Sequence, residues 1–157
     1  MVPSVDELLA LDVLTLRDHT ERAGVAFDVE AHRAKLLESV KHSDVCSVSR
    51  GEELVAYAML RPEAETCWFV GAFATHPSHR TFSVLVELLS KVAALANERG
   101  IRELRSHVYK TNRLSMAFHR KLGFQTTREN EKAVEFYSPI DDLVLTSLAR
   151  RSKRAVS

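Results

Sequence analysis

Thr75-His76-Pro77-Ser78-His79-Arg80-Thr81-Phe82-Ser83 is the stretch whose reading decides the fold. It follows an apolar run, Cys67 to Ala74, and precedes a helical pattern from Val84 to Arg99. The run reads as a strand, apolar on both faces and therefore central in its sheet. The helix sets Val84, Leu85, Leu88, Leu89, Val92 and Leu95 on one face at the 3.6 period. A strand, a short polar turn with one arginine and a helix start together make a place for phosphate. The first helical turn leaves backbone N–H groups unpaired, and the helix dipole is positive there. The stretch is either the anion site of a nucleotide- or coenzyme-binding enzyme or an ordinary strand-to-helix loop.

Upstream, the chain reads helical. Leu8, Leu9, Leu11, Val13, Leu14 and Leu16 form a wide apolar face that ends near Gly24. Asp28 is placed to cap a second helix through Lys41, with Ala31, Ala34, Leu37 and Val40 as its stripe. Val45 to Ser49 and Leu54 to Leu60 then read as a hairpin around Arg50-Gly51-Glu52-Glu53. Pro62 to Glu65 turns into the central strand. Downstream, Gly100 stops the long helix and Ile101 anchors its end. Glu103 to Tyr109 alternates as a strand. Asn112 caps a short helix with Leu114, Phe118 and Leu122 at i, i+4 and i+8, stopped by Gly123-Phe124. Two further strands, about Gln125 to Arg128 and Ala133 to Tyr137, form a hairpin. Ser138 and Pro139 read as the cap and first residue of a last helix running to about Arg150. The expected fold is α/β: an antiparallel meander followed by β-α-β-α units in one mixed sheet, with helices on both faces and a single domain over 1–157.

Composition narrows the function. The 157 residues are 45% hydrophobic and 27% charged, as in a globular protein with a real core. A net charge of +1 gives no argument for a nucleic-acid partner, and no stretch is long and apolar enough to span a membrane. The basic run Arg150-Arg151-Ser152-Lys153-Arg154 reads as a solvated helix end. The start of the chain lacks the basic region of a secretory signal, and Cys46 and Cys67 lie in apolar runs as free thiols, so a cytoplasmic protein is expected. The seven histidines are not spaced with the cysteines as a metal site requires, and no metal is expected. No G-x-x-x-x-G-K-[ST] occurs, which removes a P-loop nucleotide enzyme.

Two blocks, in this structural order, resemble one family. Pro77-Ser78-His79-Arg80 follows the central strand, and Asn112-Arg113-Leu114-Ser115-Met116-Ala117-Phe118-His119-Arg120-Lys121-Leu122-Gly123-Phe124 is similar to an N-x-x-A-x-x-x-Y-x-x-x-G-F helix. Both are features of the GCN5-related N-acetyltransferases, and the likeness covers roughly Val45 to Tyr137. The resemblance implies acetyl-coenzyme A as donor and an amine as acceptor, joined by direct attack in a ternary complex. It places the pyrophosphate on the backbone of Thr81, Phe82, Ser83, Val84 and Leu85, helped by the Arg80 side chain. It implies a bulge that splays the central strand, with a backbone N–H at Ala74 or Thr75 polarising the thioester carbonyl. Asn112, Ser115 and Phe118 become coenzyme contacts.

Two departures from the family pattern bear on activity. Ser83 and Leu85 stand where glycines usually follow the arginine, and glycine lets phosphate approach the backbone. His119 stands where the family has a tyrosine acid. An imidazole of ordinary pKa near 6.5 is mostly neutral at pH 7, so His119 serves as acid only if a neighbour raises that value. It otherwise stabilises the thiolate, contacts the acceptor or sits on the helix surface, with Tyr109 as substitute donor. An alkyl ammonium needs a base, for which His76, His107, Glu65 and Glu53 are candidates. The competing reading is a catalytically degenerate protein of the same fold that binds coenzyme or a protein partner. A homodimer is compatible with either. The acceptor is open: a metabolite amine, an antibiotic, a peptide N-terminus or a lysine side chain.

Overall fold

The computed structural model describes residues 2–142. Local capping chemistry sets most element ends. Helix α1 (Val5–Arg22) starts in a capping box, in which Ser4 Oγ accepts from the Glu7 amide and the Glu7 carboxylate accepts from the Ser4 amide. Helix α2 (Val29–Lys41) starts at Asp28, whose carboxylate accepts from the Ala31 amide. Strands β1 (Asp44–Arg50), β2 (Glu53–Pro62) and β3 (Cys67–Thr75) form the meander. A 3₁₀ turn over Pro77–His79 leads to helix α3 (Phe82–Arg99), capped by Thr81 and closed by Gly100. Strand β4 (Glu103–Tyr109), helix α4 (Arg113–Leu122) and strands β5 (Gln125–Glu129) and β6 (Ala133–Pro139) complete the order.

The sheet has six strands in the order β1-β2-β3-β4-β6-β5. All neighbours are antiparallel except β3 and β4, which are parallel. α3 and α4 pack on one face, where Val84, Leu88, Leu89, Val92, Met116 and Leu122 meet Val55, Leu104 and Phe136. α1 and α2 pack on the other, where Leu8, Leu11 and Leu36 meet Leu54, Tyr57 and Met59. The expected α/β mixed sheet with helices on both faces is therefore present.

Several sequence expectations are corrected in detail. On α2 the core residue is Leu36, while Ala31, Ala34 and Leu37 are exposed. The helix docks on α1, and that contact selects one of two adjacent leucines. On α1 the buried line is Leu8, Leu11, Asp12 and Thr15, with Leu14 exposed. On α4 the buried residues are Met116, His119 and Leu122, and Leu114 faces out. Ser138 is no helix cap. It is buried inside β6, its hydroxyl donates to the Pro139 carbonyl, and a 3₁₀ turn over Ile140–Asp142 ends the described residues. The expected last helix and the basic run from Arg150 lie outside the described residues.

The glycine stop of α3 gives a clean stability test. Gly100 sits at φ +68°, and an added Cβ would have no heavy atom within 4 Å. Gly100→Ala therefore carries a purely conformational cost of about 1–2 kcal/mol. Urea denaturation should show that loss, with Gly100→Asn closer to the wild-type protein.

Candidate active site

The parallel β3–β4 ladder is short. It pairs Cys67 to Val70 with Glu103 to Ser106 and then stops, although both strands continue. On the other side of β3, the register with β2 steps from Met59–Ala72 to Leu60–Val70. Gly71 has no partner in that step and forms a β-bulge, which bends β3 away from β4. The amide of His76 donates to the Val55 carbonyl at 2.7 Å. Alternation along an antiparallel pair then points the Thr75 and Phe73 amides into the gap and the Ala74 amide into the β2 ladder.

Two cavities meet at this gap. The first, about 380 Å³, opens toward the start of α3. Ala74, Thr75, Arg80, Thr81, Phe82, Val84 and Leu85 line it from the β3–α3 segment, and Asn112, Ser115 and Phe118 from α4. Ser83 alone of the eleven expected coenzyme contacts does not line it. Its hydroxyl turns outward and accepts from Arg50 Nη2 at 3.3 Å. Leu85 is half-buried and packs against the core, so neither residue fills the space at the helix start. Thr81 Oγ1 accepts from the Val84 amide, and the Thr81, Phe82 and Ser83 amides have no partner among the described residues. The Arg80 guanidinium donates from Nε to Thr75 Oγ1 at 3.1 Å and is otherwise exposed. Phe82 and Leu114 stand exposed on either side of the cavity.

The second cavity, about 350 Å³, lies on the α1–α2 side. The α1–α2 connection, α2, the bulge of β3 and the end of β4 form it, and it shares Leu16, Phe73, Asn112 and Ser115 with the first. Tyr109, His107 and His119 line it. His76 does not. That side chain lies outside both cavities, with Nδ1 accepting from the Ser78 amide and Nε2 3.3 Å from Glu53 Oε1. Glu53, His76 and His79 bring ligand atoms within 4.8 Å of one another. The Ser78 amide donates to His76 Nδ1, which leaves Nε2 to carry the ring's proton toward Glu53. Glu65 sits exposed ahead of β3, at the end of the sheet away from the gap.

His119 is 5% exposed, not a surface residue. Its Nδ1–H donates to the Ser115 carbonyl at 2.8 Å, and its Nε2 accepts from Ser106 Oγ at 3.1 Å. The ring stacks on Phe136 with centroids 4.9 Å apart and meets Phe124 edge-on at 5.0 Å. Burial pushes this imidazole below its ordinary value, partly opposed by the Ser115 carbonyl. The acid role expected for His119 needs a shift in the other direction, so the buried, neutral ring is a poor proton donor. His107 is also lowered, first by burial and then by the Arg105 charge. Neither thiol is activated: burial, with help from the Asp44 charge, pushes Cys46 up to about 11, and burial raises Cys67.

Sequence reasoning missed a buried polar tie beside the second cavity. Asp12 is 1% exposed on α1. Its Oδ1 accepts from the Tyr57 hydroxyl at 2.6 Å, and its Oδ2 lies 2.7 Å from His32 Nε2 on α2. The signal was present as a polar residue on the apolar line of α1, but its partners lie 20 and 45 residues away. Arg50, brought to the start of α3 by the β1–β2 turn, was missed for the same reason.

This geometry has counterparts. The chain matches the acetyltransferase (GNAT) family over residues 11–124. It belongs to that family of N-acetyltransferases. Solved GNAT structures share the fold. The PaiA N-acetyltransferase of Thermoplasma acidophilum, solved in complex with coenzyme A, is 15% identical, with 86% of this chain and 92% of that one covered and a TM-score of 0.68. Aminoglycoside 6′-acetyltransferase type Ii is 16% identical, with coverages of 87% and 89% and a TM-score of 0.68. An acetyltransferase of Streptococcus agalactiae is 12% identical, with coverages of 87% and 91% and a TM-score of 0.70. None of the curated proteins matches this chain. No helix of the described residues is long and apolar enough to cross a membrane.

The state of His119 has a measurable consequence. Below about pH 6.5 an unfolded imidazole takes up a proton that the folded one resists, so the stability tied to its neutral form is complete above that pH and is lost as pH falls toward the folded value. His107 acts in the same direction. His119→Phe strands the Ser106 hydroxyl and should cost about 1–3 kcal/mol at pH 8. Denaturant titrations should show that deficit shrinking by pH 5, because only the wild-type protein still has the His119 proton to take up.

Proposed function

We propose that this protein transfers an acetyl group from acetyl-coenzyme A to an amine. The observation that carries the reading is the meeting of two cavities where β3 and β4 part, one ending at a helix start with open amides. The first cavity suits the coenzyme. Its pyrophosphate would sit against the Thr81, Phe82 and Ser83 amides and the positive end of the α3 dipole, with Arg80 closing on it. Arg50, on the outer side of the same helix start, is tied to Ser83 and Glu87. Phe82 and Leu114 offer apolar walls, and pantetheine would run along the open edge of β3 toward Phe73. The Thr75 and Phe73 amides are aimed to pair with pantetheine and to polarise the thioester carbonyl.

The second cavity suits the acceptor, which would reach the same carbonyl from the α1–α2 side. The amine attacks the carbonyl carbon, the C–S bond breaks and the thiolate takes a proton. With His119 neutral and tied at both nitrogens, Tyr109 is the better placed donor: it lines the cavity, and its hydroxyl has no partner among the described residues. Aminoglycosides and peptide N-termini are natural first probes, because similar folds belong to an aminoglycoside 6′-acetyltransferase and to a ribosomal-protein-alanine N-acetyltransferase of Brucella melitensis.

Two measurements test this. Arg80→Ala should weaken coenzyme A binding by about 10–100-fold in calorimetry, the worth of a charge-assisted contact. Unchanged binding would move the phosphate site elsewhere. With an aminoglycoside, an alanine-initiated peptide and 2-phenylethylamine as acceptors, acetyl-coenzyme A should release free thiol faster with at least one amine than with none. Tyr109→Phe should slow that release by about 10²-fold or more with coenzyme affinity kept, the typical contribution of a positioned proton donor.

A further inference from the structure

We infer that His32, held by buried Asp12, is the general base that deprotonates the acceptor amine. The inference rests on the acetyl-transfer reading above and names the residue that makes its acceptor cavity work.

Three features of the site converge. Asp12 is sealed between α1, α2 and β2, and both its oxygens accept: one from the Tyr57 hydroxyl at 2.6 Å, the other from His32 Nε2–H at 2.7 Å. The Tyr57 phenol is pushed well above its ordinary value by burial first and by the Asp12 charge next, so it stays a donor and Asp12 the acceptor. That carboxylate fixes the tautomer of His32. With Nε2 carrying the proton, Nδ1 holds the lone pair. Nδ1 has no hydrogen-bond partner among the described residues and is not sealed from solvent. Finally, His32 lines the second cavity together with Gly71, Ala72 and Phe73, the stretch of β3 that edges the gap. The imidazole rests against Phe27, with ring centroids 5.0 Å apart, which limits its rotation. A histidine that lines a cavity, with one nitrogen held by a buried carboxylate and the other unpartnered and open to solvent, is the arrangement that general bases use.

The proton balance closes. Nδ1 takes one proton from the acceptor ammonium, directly or through water, and the imidazolium formed is stabilised by Asp12. The freed lone pair forms the N–C bond as the C–S bond breaks. Tyr109 gives its proton to the coenzyme thiolate and is restored by the second nitrogen-bound proton, and the imidazolium returns its proton to solvent. Other ionisable groups face the same space: Asp28 and Lys35 on the α2 segment, His107 and Tyr109 on β4, and His119 on α4. Of these, Asp28 is engaged as a helix cap and His119 is held at both nitrogens. His107 is the rival base, with more than half its side chain in solvent and Nε2 3.7 Å from Glu135.

The test compares His32→Gln and His107→Gln with the wild-type protein, using whichever amine of the panel is acetylated fastest. Glutamine keeps an N–H for Asp12 but cannot take a proton. His32→Gln should lower kcat/KM for the amine about 10²-fold or more at pH 7. The deficit should shrink toward pH 10, where a far larger share of the amine is already neutral and needs no base. Coenzyme A affinity and the circular dichroism spectrum should not change. A merely structural role would give a deficit that does not close with pH. Histidine ¹⁵N spectra give a readout that needs no acceptor: the neutral ring of His32 should carry its proton on Nε2, and Asp12→Asn should erase that preference. Wild-type turnover in His32→Gln across the pH range, or the same closing deficit in His107→Gln instead, overturns the assignment of His32 alone. So does a neutral His32 protonated on Nδ1. A wild-type protein that binds coenzyme A yet releases no thiol with any amine overturns the acetyl-transfer reading, and this one with it.

Discussion

The end of the β3–β4 ladder at Val70 and Ser106 is the constraint on which the rest of the molecule depends. A parallel pair buried between helices ordinarily continues as far as both strands do, because an unpaired buried amide costs free energy. Here it stops with five residues of β3 and three of β4 still to run. The bulge at Gly71 bends one strand, and β6 holds the other straight by pairing with it as far as Tyr109. The gap exposes backbone amides that no side chain of the sheet satisfies. Both cavities, the placement of α1 over one and of α3 and α4 over the other, and the chemistry proposed at their junction follow from that one interruption.

The parts of the fold that were legible in the sequence are those decided locally. Asp28, Asn112 and Thr81 accept from amides three residues on, and Gly100 and Gly123 take positive φ, so each marks its helix end without help from the rest of the chain. The strands were legible because alternation reports which face is buried, as on β4, where Leu104, Ser106 and Val108 point to the core. Docking choices were not. Leu36 and Leu37 are equally apolar, and only the position of α1 makes one of them core. Nor was the bulge: Gly71 has room for a Cβ, with the nearest heavy atom 3.8 Å away, and no positive φ. Its partner count is set by where β2 and β4 sit. Most of the cavity-lining residues at the α3 start could be read from a motif, because that site is one continuous segment. The Asp12–His32–Tyr57 tie could not, because it joins three elements that meet only in the folded sheet.

That tie and the His119 contacts are two answers to the same physical problem. A histidine in a core must be either neutral and satisfied or charged and paired. His119 takes the first course: a carbonyl fixes one nitrogen, a serine hydroxyl the other, and the aromatic rings around it offer nothing to stabilise a cation. His32 is only half-buried: the Asp12 carboxylate holds its Nε2–H, and Nδ1 is left without a partner among the described residues. The family's usual tyrosine position is thus occupied by a buried ring tied at both nitrogens, while a ring with one nitrogen unpartnered among the described residues lines the second cavity. Proton transfer in this chain is accordingly expected on the acceptor side of the junction.

The missing glycines at the start of α3 fit the same economy of side-chain direction. Glycine at such a site matters because a side chain pointing at the phosphate would hold it off the amides. Direction, however, is set by what the side chain can bond. Ser83 has a partner outside the cavity in Arg50, itself tethered to Glu87 one helical turn on. Leu85 has a partner in the core. Both side chains leave the amide-lined end open, and the Arg50 charge beside Ser83 is shared with Glu87 outside the cavity. Arg80 is then the guanidinium that lines that end, and its exposed contact with an anion is screened by salt more than the short contacts of the amides are.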